Sequence, residues 1–500
     1  MDPFDDEGVF WLPDKDGEQQ VAGRLKFDPA EGATLDLMGG FGDLMQQLNP
    51  GRGASRIHGV AGRRYLTLDG CFISNNRHEM PGGIRHTYYV PTVITGALFD
   101  EDESLTFDKC SVSFDQLAHW VGRTGITISL QSPEPELTSR VDGAKIEYKP
   151  PADETAQIDN DEELRLAYTW TIGGDNVTRS HLNQGTNLEL KYPDARPLDD
   201  ILNDVKYLQD LITLATTAPT APLEITLWRT DITHEYRPGQ HRPQAMKYYA
   251  GQISERVRLD KPQSAGRILF QFADIGGLPT IARWVKVARE YQAVVGALLS
   301  IRYASGLYAE NRFNNVISAA ESFHRLRFSN EVRSKAEFRK LRRELVAAVS
   351  KEHQGWLRDQ IQFANEPRLR DRLREMVSYA GEAFSALGVE PDLWVAVVAQ
   401  SRNRLTHHDK RRVIKFEPGD AYFLAESVFV LVMLCLLREC EVDAKTLANV
   451  RENPNMQFLC GQASGNHPSL ARTVEDQVRQ TPQATGPMES GGSGQLADDS

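Results

Sequence analysis

Cysteine is scarce. Five residues, Cys71, Cys110, Cys435, Cys440 and Cys460, are spread over 500 positions. They are odd in number and form no C-x-x-C pair, which argues against a disulfide framework or a cysteine zinc site and points to a reduced cytoplasm. A basic, apolar leader is missing too. Met1-Asp2-Pro3-Phe4-Asp5-Asp6-Glu7 is acidic, so no signal peptide is expected. No apolar run is long enough for a clean membrane span of about 20 residues. The most apolar stretch, Ala421 to Leu437, carries Glu426 and ends at Arg438-Glu439, and it reads as a buried core helix with no role for a membrane. Positive charge is in deficit, with 57 Lys and Arg against 69 Asp and Glu and a net charge of −12. That balance argues against a chain coated in nucleic acid. It leaves room for a local basic cleft, because binding follows the local field.

The rest is ordinary for a globular protein, at 40% hydrophobic and 25% charged residues. So many residues exceed one core and imply two or three domains with a tail. Up to about Pro219 the pattern is mainly strands. Tyr65–Leu68 leads through Asp69-Gly70 into Cys71-Phe72-Ile73, a hairpin signal. Pro91, between Tyr88–Val90 and Thr92–Thr95, suggests a sheet edge or bulge. Ser104–Phe107, Ser111–Phe114, Ile126–Leu130, Leu164–Trp170, Asn187–Leu190 and Leu223–Trp228 are further strands. Ser132 to Asp161 reads as a long exposed connection, Leu198 to Ala215 as an amphipathic helix, and Arg267–Phe270 as the close of the β-rich half.

Beyond Gly276-Gly277 the period becomes helical. Helices are expected over Thr280–Tyr303, Asn311–Leu326, Glu331–Lys351, Arg368–Ala386, Pro391–Thr406 and about Gly419–Glu439. From about Asn453 the composition turns to Gly, Ser, Gln, Pro and Asp, and a disordered tail is expected. The fold class is therefore α+β multidomain, with a β-rich domain over 1–277, an all-α bundle over 278–452 and a tail over 453–500.

One stretch carries chemistry: Arg402-Asn403-Arg404-Leu405-Thr406-His407-His408, between an apolar helix and a second, more apolar one. A guanidinium, an amide and an imidazole suit the binding and cleavage of a phosphodiester without a metal. Other Arg…His spacings, Arg229 to His234 and Arg52 to His58, fall in the polar or β-rich half with no helix to present them. The competing reading is a helix C-terminus capped by positive charge.

Arg402-Asn403-x-Leu405-x-His407 resembles the signature of HEPN-domain ribonucleases, and Asn315 to His324 is similar to that family's second-helix segment, in which a Glu, here Glu321, faces the cleft. The N-terminal half resembles the β-rich domain of ApeA-like anti-phage proteins through Gly96–Phe99, Phe107–Phe114 and Leu117-x-x-Trp120. The resemblance implies abortive infection by a toxic, metal-independent endoribonuclease, assembled at the interface of a homodimer or higher even oligomer through the α domain. It implies an N-terminal domain that senses a phage-derived trigger, with RNA, plausibly tRNA, as substrate and no cofactor or metal.

On this reading the RNA 2′-OH attacks the adjacent phosphate. Arg402 neutralises the developing charge as a forked donor, and His407 shuttles a proton. Asn403 orients the histidine or phosphate, and Glu321 holds Arg402 or polarises the site. His408 satisfies the spacing as well. Arg404, Arg411 and Arg412 are candidate RNA contacts near the motif. Arg339 and Arg342 are further ones on a basic helix whose interleaved Glu331, Glu337 and Glu344 equally suit a salt-bridged, solvated face. His324 and Arg325, one turn on from Glu321, are candidates for the cleft, with the surface as the preferred reading. The alternative class is a non-catalytic adaptor that dimerises through its helical domain.

Overall fold

The computed structural model describes residues 1–13, 19–79, 83–131, 142–159, 161–175, 177–407 and 418–461. The N-terminal part opens with β1 (Phe4–Trp11), β2 (Val21–Asp28), β3 (Gly32–Leu37) and the short helix α1 (Leu44–Leu48). Next come β4 (Arg56–Ala61), β5 (Arg64–Asp69), β6 (Phe72–Glu79), β7 (Gly83–Val90), β8 (Thr92–Thr95), β9 (Thr106–Phe114) and α2 (Leu117–Val121). They are followed by β10 (Ile126–Gln131), β11 (Gly143–Tyr148), β12 (Glu154–Asp159), β13 (Glu162–Gly174), β14 (Ser180–Pro197) and α3 (Leu198–Thr216). The half closes with β15 (Pro222–Trp228), β16 (Thr233–Arg237), β17 (Gln240–Pro243) and β18 (Met246–Tyr249).

A 14-stranded sheet runs β12-β13-β14-β9-β15-β18-β8-β5-β4-β1-β2-β3-β7-β6. Alternation drives it: in β2, Val21, Leu25 and Phe27 are buried while Ala22, Arg24 and Lys26 face water. So many twisted strands cannot lie flat. The sheet curls until Phe4 of β1 and Phe27 of β2 meet Tyr249 of β18, with ring centroids 5.2 and 5.3 Å apart. Helix α3 packs against β9 and β14.

Several expectations for this half need correcting. Gly70 does take a positive φ of 70°, but β5 pairs with β4 and β8 whereas β6 pairs with β7, so Asp69-Gly70 links two strands that are not neighbours. Pro91 is a one-residue interruption between β7 and β8, and both strands lie inside the sheet, each with a partner on either side. Within the expected long connection after Ser132 stand β11 and β12. Opposite β10, β11 makes a separate ribbon that leaves Ile128, Leu130 and Ile146 exposed. Ile268–Phe270 is buried but forms no strand. Its polar groups go elsewhere: Leu269 N–H donates to Ala215 O, Phe270 O accepts from Trp120 Nε1, and Ile268 O accepts from Asn453 Nδ2.

The helical half comprises α4 (Leu278–Glu290), α5 (Gln292–Tyr303), α6 (Ala309–Arg327), α7 (Lys335–Ala347), α8 (Lys351–Gln360), α9 (Leu369–Ala380), α10 (Pro391–His407), α11 (Pro418–Glu439), α12 (Ala444–Ala448) and α13 (Pro454–Gly461). The single helix expected over 280–303 is broken at Tyr291, whose buried ring stacks on Phe323 at 5.3 Å. The basic helix stops at Ala347, short of the expected Lys351, and a separate helix, α8, begins there. After α9 the chain tightens into a 3₁₀ segment, Gly381–Leu387. The expected tail starts as α13, because Met456 and Leu459 still find a core to enter. Residues 462–500 lie outside the described ones.

Helix α11 is the hub. Among the described residues Gly419–Glu439 is long and apolar enough to cross a membrane, yet 89% of its apolar window is buried inside the protein. The acid in the middle of that run is satisfied: Arg302 of α5 forks onto Glu426 at 2.8 and 2.6 Å and lies 4.1 Å from the Phe429 ring centroid. The two halves are tied through α4, where Trp284 Nε1 donates to Tyr207 O at 2.7 Å and Arg289 binds both Asp204 and Glu162.

Candidate active site

Helix α10 is nucleated by its own entry. Pro391 takes the first turn, where no donor is lost, and the Glu390 carboxylate accepts from the backbone N–H of Asp392 and Leu393 at 3.1 and 2.6 Å. Its inner face is Trp394, Val395, Val397, Val398 and Ser401, all buried. Trp394 Nε1 donates to Ser427 Oγ of α11 at 2.9 Å, and its ring meets Phe384 edge-on. The helix packs against α9 and α6. One turn beyond Val398 stands Arg402, half-buried, followed by exposed Asn403.

Positions Arg404 and His407 lie within α10, but their side chains are outside the described residues, as are His408, Arg411 and Arg412. Glu321 is half-buried on α6. Its field acts on Arg372 of α9, where burial and the charge of Arg325 lower the guanidinium pKa and Glu321 and Glu366 oppose them.

That guanidinium belongs to a cluster the sequence did not announce. His324 is fully buried, contrary to the surface position expected, while Arg325 is exposed. Nε2 of His324 lies 2.6 Å from Glu375 Oε2, and Nδ1 accepts from Arg372 Nη1 at 3.1 Å. Arg372 also donates to Pro367 O, Asn330 Oδ1 and Glu366 Oε2. Phe328 stacks on the imidazole at 5.0 Å. Nothing in local spacing marks this group, because its members come from α6, α9 and the loops between.

Along the basic helix the three interleaved acids differ in their surroundings, and Glu344 is exposed. Glu337 is drawn into the N-terminal cap, accepting from the Ser334 N–H and hydroxyl, and Glu331 pairs with Lys335. Arg339, Arg342 and Arg343 face Arg358 of α8 across a cleft of about 760 Å³. Elsewhere Arg374 is paired with Asp392 at 3.0 Å. Among the described residues no three His, Cys, Asp or Glu side chains gather as a metal site.

A curled antiparallel sheet joined to a helical bundle, with Arg402 half-buried on a late helix that packs against α6, defines a two-part protein with a β-rich and an all-α half. The comparisons with known proteins agree and go further. ApeA N-terminal domain 1 matches residues 7–284, reaching into α4, and Apea-like HEPN matches residues 314–446. The chain belongs to the ApeA family, and is an ApeA-like anti-phage defence protein with a nuclease-type HEPN domain. No curated protein and no solved structure matches it.

Proposed function

We propose that this protein is a cytoplasmic, metal-independent endoribonuclease that cuts RNA, plausibly tRNA, through Arg402 and His407, and that its β-rich half governs when it does so. The observation that carries the reading is the position of Arg402. It is half-buried near the end of an anchored helix that packs against α6, the helix that carries Glu321, inside the stretch matched to Apea-like HEPN. A permanent fork of donors on a rigid element suits a phosphorane, whose charge develops only in the transition state. Imidazole at the helix end can move the 2′-hydroxyl and 5′-oxygen protons.

Residues five apart on an ideal helix lie about 140° apart around its axis. Arg402 and His407 of one chain therefore share a face only if the helix end unwinds, or if a second copy supplies one of them. This supports a site completed in a homodimer or higher even oligomer. The test is to incubate the full chain with RNA in EDTA and sequence the ends. Cleavage with 2′,3′-cyclic phosphate and 5′-hydroxyl termini, and intact DNA, is expected. Termini with a 3′-hydroxyl, or equal cutting of DNA, would sink the mechanism.

A further inference from the structure

We propose that the α7–α8 hairpin is an RNA-holding arm, in which Arg339, Arg342, Arg343 and Arg358 grip the phosphodiester backbone. The choice of RNA as occupant rests on the ribonuclease reading; the charge argument does not. The cleft between the two helices is lined by those four arginines with Gln354, over Val346. The spacing is what a helix needs to stack side chains along one face: 339 with 343 and 342 with 346 on α7, 354 with 358 on α8.

Three features point to an anion there. First, two of the three acids along this segment are engaged elsewhere, Glu337 in the cap and Glu331 on Lys335, and the third, Glu344, is exposed and does not line the cleft. Among the described residues no carboxylate pairs with any of the four guanidinium groups. Second, such groups are tethered yet hold donors to spare. Arg339 Nε donates to Lys335 O, Arg343 Nε to Arg339 O and Arg342 Nη2 to Arg358 O, each using one of five donors. Third, packing does not account for them. Among the described residues Val346 is the buried side chain of α7 and α8 has none. The hairpin is held at its base, where Asn365 bonds Arg333 N–H and O at 2.9 and 2.8 Å. Four like charges lining one cleft repel each other until a polyanion fills it, and on a chain of net charge −12 they form a local field opposite to the whole.

The experiment measures binding of the full chain to a labelled, 2′-O-methylated RNA strand over a salt series. That strand lacks the attacking hydroxyl, so binding is read without turnover. Arg342→Gln/Arg358→Gln is expected to weaken binding roughly tenfold and to flatten the salt slope by about 1.4, two phosphate contacts on a single strand. The Lys versions, which keep the charge, are expected to keep the slope. A control pair on the same arm but outside the cleft, Lys340→Gln/Lys351→Gln, is expected to change the slope far less. An unchanged slope in the arginine pair, or an equal loss in the control pair, would overturn the arm. A chain that binds through the cleft but never cuts natural RNA would sink the nuclease reading alone.

Discussion

Arg372 of α9 donates from Nη1 to Nδ1 of His324 on α6 at 3.1 Å. A guanidinium has no acceptor, so Nδ1 carries no proton and the neutral ring must bear it on Nε2, aimed at Glu375. Burial pushes His324 below the usual histidine range, with Arg372 adding to it and Glu375 resisting. In the unfolded chain the same ring takes a proton near pH 6.5. Below that pH the unfolded state binds a proton that the folded state refuses, so stability falls as pH drops from about 6.5 through the lower folded value. Nitrogen-resolved NMR is expected to show the Nε2–H tautomer at neutral pH. The loss of Tm between neutral and mildly acid pH should be smaller in His324→Gln, which has no proton to gain; an identical slope would count against this account.

The Arg302–Glu426 pair sits with both side chains nearly out of water, at 11% and 12% exposure. Removing one partner strands the other charge, which costs about 3–5 kcal/mol. Glu426→Ala is therefore expected to lower the urea midpoint of the helical half strongly. Arg302→Met/Glu426→Leu should recover most of the loss, since apolar side chains suit the surroundings of Phe429. A mild effect of the single change would mean that water reaches the pair.

These two clusters mark where the sequence stops being readable. Periodicity exposed α3, α6, α10 and α11, because each buries one stripe or its whole surface. It also located the motif, since Arg402 follows an apolar run behind a Gly-x-x-Pro stop. Partner choice was hidden: Asp69-Gly70 reads as a hairpin turn locally, and only the sheet order shows that its strands part. In sequence Arg372 is one of four alternating arginines, with Arg368, Arg370 and Arg374, and only the fold shows it buried against His324 of α6. The break at Tyr291 left no Gly or Pro, because it is set by a ring turning inward onto Phe323.

Arg289 is the charged clasp between the halves. Its guanidinium binds Asp204 at 2.9 and 2.7 Å and Glu162 at 2.8 Å, and both acids are buried. Tyr192 donates to the same Asp204. Arg289→Met removes the shared fork and leaves Glu162 with Arg196, and Asp204 with the Tyr192 hydroxyl and Arg196 3.9 Å away. Calorimetry is expected to show a lower Tm, with the single transition broadening or splitting as the halves uncouple. A regulatory role for the N-terminal half predicts in addition that the variant changes toxicity on expression at equal protein level.

The motif itself admits the sharpest test. General acid–base catalysis is worth about 10²–10⁴ in rate, so His407→Ala should lower RNA cleavage at least about a hundredfold, and Arg402→Ala should do as much by removing the phosphate fork. Because the two act on one transition state, the double variant should be little worse than either single one. His408→Ala discriminates between the adjacent imidazoles: turnover close to that of the unsubstituted chain assigns the proton transfer to His407, and a collapse assigns it to His408. Folding is checked by helix content, since position 402 lies on a helix whose inner face, Val395 and Val398, the changes leave untouched. Full cleavage by the well-folded Arg402→Ala/His407→Ala chain would move the chemistry elsewhere in the molecule.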